Sequence, residues 1–337
     1  MNKPFDIAIV ILDNGFTSTA IGPMEVFYSA GRLMQLLLGE PELPRFNVRM
    51  ASVDGKPVTS AYGISLVPNC ALKDVEQADL VLITASHSCL LEQVPCKTLI
   101  VPWLRAAYER GSYLAGVCSG VALVAETGLL NDRRATTHWG VAEMYRQRYP
   151  RVQWQPEHFI TEDAGLFCGG GVYAAIDLSL YLVEKFCGHE IALECAKSLM
   201  VTPPRSLQSG YAVAPLSRPH GDEKIKQIEY LLQSRFDQDI ALETVATEHA
   251  MSPRNLLRRF KAATGHLPGE YLQLLRVTAA RQLLERGRAP VQKVAAAVGY
   301  EDSAYFRGIF KRHTGMTPSE YRNRFGPLVI SSSEIRG

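Results

Sequence analysis

From residue 5 to about residue 200, short apolar and β-branched runs alternate with segments of helical spacing. Ile7 to Leu12, Phe46 to Ser52, Leu80 to Thr84 and Tyr113 to Val117 read as buried strands. Ile21 to Leu38, Leu99 to Arg110, Val121 to Thr127 and Val172 to Phe186 read as helices. Such alternation predicts an α/β domain: a flavodoxin-like parallel sheet with helices on both faces.

Beyond Lys224 the pattern is helical throughout, opening with an amphipathic helix from Lys224 to Phe236. Seven identities then recur at one fixed offset. Phe260, Lys261, Thr264, Gly265, Pro268, Glu270 and Tyr271 return as Phe310, Lys311, Thr314, Gly315, Pro318, Glu320 and Tyr321. A fixed-period repeat is one supersecondary unit used twice. Each copy starts with a small apolar helix, Leu242 to His249 or Val291 to Val298. A polar turn follows, at Met251-Ser252 or Gly299 to Asp302, and then an arginine-bearing helix. Gly265 or Gly315 stands where a C-capping glycine would end that helix. Helix, tight turn, helix is the layout that places its second helix in the DNA major groove. The C-terminal domain is therefore expected to be all-α with two helix-turn-helix units, facing two successive turns of promoter DNA.

Individual residues carry expected roles. Ser252 caps its helix, and Pro253 suits the first helical position. Leu256, Leu257, Phe260 and Ala263 form an apolar stripe and are expected in the core. Arg254, Asn255 and Arg258 fall mostly on the other face, where arginine reads guanine edges or neutralises phosphate. In the second copy Gly308 stands opposite Arg258, and Arg307 points about 100° away. That unit is expected to hold phosphates through Ser303, Tyr305, Arg307, Lys311 and Arg312, with less sequence discrimination.

A length of 337 residues is enough for two domains. From Gly221 onward there are 18 Lys and Arg against 13 Asp and Glu; before it, 18 against 21. A basic C-terminal part behind a mildly acidic one suits nucleic acid at one end only. Thr202 to Gly221 holds four prolines and several serines, the composition of a linker. The expected organisation is a domain over 1–201, a linker over 202–221, a DNA-binding domain over 222–326 and a frayed tail over 327–337. Seven cysteines without a C-x-x-C pair argue against a disulfide framework. Met1 to Asp6 has no basic region or cleavage site, and no apolar run is long enough to span a membrane. A soluble cytoplasmic protein without cofactor or metal is expected.

Directly after a predicted strand and before a helix lies Gly116-Val117-Cys118-Ser119-Gly120, the nucleophile-elbow arrangement with cysteine in the serine position. A helix N-terminus behind Cys118 favours thiolate. Ligand pockets in open α/β sheets lie at the carboxyl ends of the strands. Asn14 to Thr19, Ser86 to Cys89, Cys118-Ser119 and His138 are expected at that edge.

Two resemblances sharpen these expectations. Asp239 to Arg322 resembles the AraC/XylS DNA-binding domain. The match rests on Met251-Ser252-Pro253-Arg254, Arg258-Arg259-Phe260-Lys261, Leu275-Arg276, Ala280-Arg281 and Gly299-Tyr300. Phe310-Lys311, Thr314-Gly315, Thr317-Pro318 and Tyr321-Arg322 complete it. It implies a long helix between the units, which Gly269 to Glu285 fits. Phe5 to about Met200 is similar to the PfpI-like class I glutamine-amidotransferase-like superfamily. Here the elbow is joined by Gly22-Pro23-Met24-Glu25-Val26-Phe27, Ala125-Glu126-Thr127-Gly128-Leu129-Leu130 and Arg134-Ala135-Thr136-Thr137-His138-Trp139. The pairing resembles the GlxA-like branch of regulators, whose members commonly control catabolism of amino acids and quaternary amines. In isocyanide-hydratase-like members an acid three positions before the Gly-Pro pair contacts the thiol. That position is Thr19 here, and threonine is neither acid nor base at neutral pH. Cys118 is therefore expected to be a vestigial nucleophile. Thr19, Glu25, Ser86, Cys118, Ser119 and His138 are expected to form an effector site. The chain is expected to be a dimeric, ligand-responsive activator that binds promoter DNA, a small effector and RNA polymerase. The alternative is a cysteine-dependent hydrolase or hydratase with an attached DNA-binding module.

Overall fold

The computed structural model describes residues 3–90, 97–202, 208, 211 and 220–326. Most of the linker expected over 202–221, and all of the tail over 327–337, lie outside the described residues. The chain divides into two compact units, Met1–Gln208 and Ser209–Gly337.

The first unit is built on a seven-stranded sheet. Its strands are β1 (Phe5–Val10), β2 (Phe46–Ser52), β3 (Cys70–Ala71), β4 (Leu80–Ile83), β5 (Tyr113–Val117), β6 (Ile160–Asp163) and β7 (Leu166–Gly169). Their spatial order is β6-β7-β5-β4-β1-β2-β3. All neighbours run parallel except β6 and β7, which are antiparallel. In β1 the central register sets Ile9 between Met50 and Leu82. Alternate residues feed two cores, one on each face. Ala8, Val10, Val81 and Ile83 join one; Ile7, Ile9, Leu80 and Leu82 join the other. Helices Lys97–Glu109 and Val121–Glu126 contribute to the first core, and Ser18–Ser29 and Ala174–Cys187 to the second.

The sheet is parallel with helices on both faces, as expected, except for one antiparallel edge pair, formed because the chain reverses between β6 and β7 over Ala164 and Gly165, with φ of +48° and +77°. Positive φ at both central residues is the tight-hairpin geometry, and Ala-Gly is a weak sequence signal for it. The single helix expected over Ile21 to Leu38 is two, Ser18–Ser29 and Leu33–Leu38. Gly31 breaks it with φ +75°, and its carbonyl accepts from Leu43 N at 2.7 Å. A further helix, His189–Ser198, extends the second core.

Among its described residues the second unit has only helices and turns. Its helices are Glu223–Ser234, Leu242–Glu248, Pro253–Thr264, Pro268–Arg286, Val291–Ala297, Ser303–Thr314 and Pro318–Phe325. The long helix Pro268–Arg286 serves two cores. Tyr271 and Leu275 join Ile225, Val245, Leu256 and Phe260; Val277, Ala280 and Leu284 join Val294, Phe306, Phe310 and Tyr321. The repeated identities are the framework of this packing. Phe260 meets Tyr271 edge-on at 5.3 Å, and Phe310 meets Tyr321 at 5.4 Å. Thr264 and Thr314 each donate to the carbonyl four residues back, at 2.8 Å. Gly265 and Gly315 take left-handed φ of +86° and +75° as helix caps. Glu270 and Glu320 accept from the backbone N–H of Leu267 and Thr317, at 3.0 and 2.7 Å. Leu257 departs from expectation: it is 42% exposed, while Leu256, Phe260 and the partly buried Ala263 face the core. No described helix is long and apolar enough to cross a membrane.

Because their surroundings repeat, Phe260→Ala and Phe310→Ala are expected to cost similar amounts, about 3–5 kcal/mol each. Urea unfolding of the two variants, followed by far-ultraviolet circular dichroism, measures this; a difference above about 2 kcal/mol contradicts the equivalence.

Candidate nucleic-acid interface and sensor cleft

Each helix-turn-helix turn depends on one left-handed residue. In the first it is Ala250, φ +52°. In the second it is Gly299, φ +81°, where a Cβ would lie 2.6 Å from Asp237 O. Ser252 Oγ accepts from Asn255 N at 3.3 Å and so caps Pro253–Thr264. The second reading helix is capped by Asp302, which accepts from Ala304 N at 2.7 Å and Tyr305 N at 3.3 Å. Caps of this kind contribute about 1 kcal/mol each.

On the first reading helix Ser252, Arg254 and Arg258 are exposed and Asn255 is half-buried. Asn255 Oδ1 accepts from Arg258 Nη2 at 3.1 Å, which orients the guanidinium along the outer face. The neighbouring Arg259 is structural: it grips Asp222 with Nε at 3.0 Å and Nη2 at 2.6 Å. That pair holds the Asp222 carboxyl below its usual range, with the Arg259 hydrogen bond as the main cause. On the second, Tyr305, Arg307, Lys311 and Arg312 are exposed and Ser303 is half-buried. Gly308 is exposed, and a Cβ there would meet nothing within 4 Å. All nine expected DNA-contacting residues thus lie on or beside the two reading helices.

In the first unit β5 runs into Cys118, whose φ is +53°. A short turn, Cys118–Gly120, leads into the helix Val121–Glu126. Both glycines of the motif are needed for close approach. A Cβ at Gly116 would lie 2.8 Å from Val121 Cα, and one at Gly120 would lie 2.4 Å from Thr84 O. Cys118 is only 7% exposed, and burial pushes its thiol up to about 11, outweighing the opposing hydrogen bond from the Ser119 backbone. The thiolate expected from the helix N-terminus is therefore disfavoured: desolvation wins.

The other expected site residues are mostly committed to the fold. Thr19 is buried; its hydroxyl donates to Phe16 O at 2.7 Å and accepts from Ala85 N at 3.1 Å. Ser119 Oγ accepts from Ser86 N at 3.0 Å and donates to Ser86 O at 2.9 Å. Ser86 Oγ donates to Asp13 O at 2.6 Å. His138 Nδ1 accepts from Gly140 N at 3.0 Å, capping the turn that leads to helix Ala142–Arg148, and burial lowers its basicity. Among the described residues no hydrogen bond joins it to Cys118. Glu25 is exposed on the helix Ser18–Ser29.

The open space lies beside these residues. A cleft of about 460 Å³ sits at the carboxyl ends of β1 and β2, lined by Ile11, Leu12, Asp13, Ser52, Val53, Asp54, Lys56, Pro57, Val58, Ser88 and Leu99. Its walls are mainly aliphatic. Asp54 and Lys56 pair at 3.3 Å, while Asp13 Oδ1 accepts from Thr59 N at 2.9 Å. None of the six expected ligand residues lines it. The nearest connection is Ser86, whose Oγ accepts from the Ser88 N–H at 3.0 Å. A larger, shallower depression of about 630 Å³ runs along β6, but its charges are already paired, Arg134 with Asp163 and Glu162 with Lys185. Aliphatic walls and position at the strand ends distinguish the smaller cleft.

The two units define a helix-turn-helix domain joined to an α/β domain. Residues 7–185 match the DJ-1/PfpI family and residues 245–324 match a helix-turn-helix domain family. The chain belongs to the DJ-1/PfpI family and carries an AraC-type helix-turn-helix domain, which makes it a DNA-binding transcriptional regulator. It is 28% identical to the HTH-type transcriptional regulator CdhR of Pseudomonas aeruginosa, over 80% of each chain. It is 30% identical to the isonitrile hydratase of Pseudomonas putida, over 64% of this chain and 88% of that one. A solved THiJ/PfpI family protein from Pseudomonas syringae shares the fold, with 18% identity, a TM-score of 0.51, and coverage of 62% of this chain and 79% of that one.

Gly116→Ala and Gly120→Ala are expected to destabilise the first unit by about 1–3 kcal/mol through overpacking. Thermal unfolding of the full chain checks this; a wild-type melting profile in both variants contradicts the close-approach account.

Proposed function

We propose that the chain is an effector-responsive activator that senses a small metabolite without turning it over. It acts in the cytoplasm as a homodimer and engages RNA polymerase at promoters for catabolism of an amino acid, quaternary amine or similar compound. Residues 1–201 sense and residues 222–326 bind DNA. The observation that carries this reading is a contrast between the units. The C-terminal unit presents exposed arginines on two capped reading helices, whereas the elbow thiol is buried with Thr19 in the acid's place. A buried, protonated thiol without an ionisable partner is a poor nucleophile. Beside it, the 460 Å³ cleft can bind without reacting. The match to an isonitrile hydratase supports a second reading, a cysteine-dependent hydratase fused to a DNA-binding module.

Arg258→Ala is expected to weaken binding at the preferred site by about 1–3 kcal/mol relative to random DNA, since base readout is lost. Equal weakening on both, in a fluorescence-anisotropy titration, would show that Arg258 touches phosphate only. Gly308→Arg fits the open surface and is expected to tighten binding to specific and random duplexes alike, with a steeper salt dependence. An unchanged salt slope counts against a DNA-facing Gly308. Cys118→Ser is expected to leave promoter-reporter induction intact. If the purified chain instead hydrates isocyanides and Cys118→Ser stops both hydration and induction, the enzyme reading replaces this one.

A further inference from the structure

Gln208 lies inside the segment whose composition reads as a solvated linker, yet it is 2% exposed. Its backbone N–H donates to Glu157 O at 2.7 Å. Its side-chain Nε2 reaches Thr137 O at 2.8 Å, His158 O at 3.0 Å and Thr136 Oγ1 at 3.2 Å. The recess exists because residue 170 is glycine: a Cβ there would fall 2.4 Å from that nitrogen. Three acceptors converging on one amide, over a floor that admits no side chain, form a socket for this residue and not a chance surface contact.

The socket joins the elbow by hydrogen bonds. Thr137, whose carbonyl receives Gln208, donates its own hydroxyl to Cys118 O at 2.9 Å. The next residue, Ser119, is clamped in both directions to Ser86, and Ser86 Oγ bonds Asp13 O and the Ser88 N–H. Asp13 and Ser88 line the 460 Å³ cleft. A continuous chain of polar contacts, buried except at Asp13, therefore runs from the cleft to the end of the first unit.

We propose that the Gln208 socket is the output latch of the sensor. Seated, Gln208 anchors the chain at the end of the first unit; occupancy of the cleft displaces the Asp13–Ser86–Ser119–Cys118–Thr137 chain and changes the fraction of molecules with the latch seated. A ligand shifts this equilibrium only by binding the two latch states unequally. The coupling rests on the cleft being the effector site; the latch itself does not.

The test uses hydrogen exchange of the full-length chain, read in peptides covering Gln208 and Thr137. Gln208→Ala removes the donors, Gln208→Glu keeps the shape but sets a carboxylate against two carbonyls, and Gly170→Ala fills the recess. All three are expected to speed exchange there at least tenfold while the unfolding midpoint stays near wild type. Wild-type exchange in Gln208→Ala and Gln208→Glu overturns the latch. Val53→Trp, a bulky side chain placed in the cleft, serves as the probe of coupling. It is expected to change exchange at Gln208 at least threefold, whereas the surface change Lys73→Trp is expected to leave it alone. If Val53→Trp does nothing at Gln208, the coupling is overturned. If Val53→Trp leaves promoter-reporter induction unaltered, the effector cleft is misassigned, and the exchange result for Gln208→Ala still decides the latch.

Discussion

Between β4 and β5 two backbones approach until no side chain fits, with Thr84 O 2.4 Å from where a Cβ of residue 120 would stand. That approach turns the chain sharply at Cys118 and seals the turn with the reciprocal Ser119–Ser86 bonds. The same closeness decides the chemistry. It strips water from the thiol, so the neutral form is favoured, and the hydroxyl groups around it are already used as structural clips. An elbow that presents a nucleophile and an elbow that locks a fold share one backbone; neighbouring acids and water access separate them. Here the thiol is 7% exposed and threonine stands at position 19, while the open volume lies at the ends of β1 and β2.

In the C-terminal unit the division of labour follows helix faces. Most of the residues that recur between the two copies pack, cap or turn, as the Phe–Tyr pairs and the left-handed glycines show, while the recurring Lys261 and Lys311 stay exposed. Several exposed positions differ between the copies, and Arg258 against Gly308 is the plainest case. A framework held by repeated contacts can present two different surfaces to DNA, and discrimination then resides where side chains reach base edges.

What could be read in the sequence was what repeats or is local. The second domain was legible because seven identities at one spacing leave few alternatives, and Ser252 with Pro253 announces a helix start. The strands of the parallel sheet and the G-x-C-x-G turn were legible from apolar runs and glycine spacing. Features set by distant partners were not. Gly31 breaks a helix because its carbonyl meets Leu43, and the cleft lining comes from loops after three different strands. The raised Cys118 pKa follows from burial, which the motif does not encode. Arg259 looks like its neighbour Arg258 until Asp222 is found beside it. Gln208 sits in a stretch whose composition points to solvent, and only its acceptors Thr137 and His158 show otherwise.

The claim that the elbow is structure and not chemistry is tested most directly by the thiol itself. Iodoacetamide labelling of the native full-length chain, followed at the Cys118 peptide by mass spectrometry across pH 6 to 11, reports thiolate and access together. With the thiol pushed up to about 11 by burial, labelling is expected to be slow at neutral pH and to rise only near the alkaline end, far behind the unfolded chain. Rapid labelling of Cys118 at pH 6 to 7 would contradict the account and restore the nucleophile.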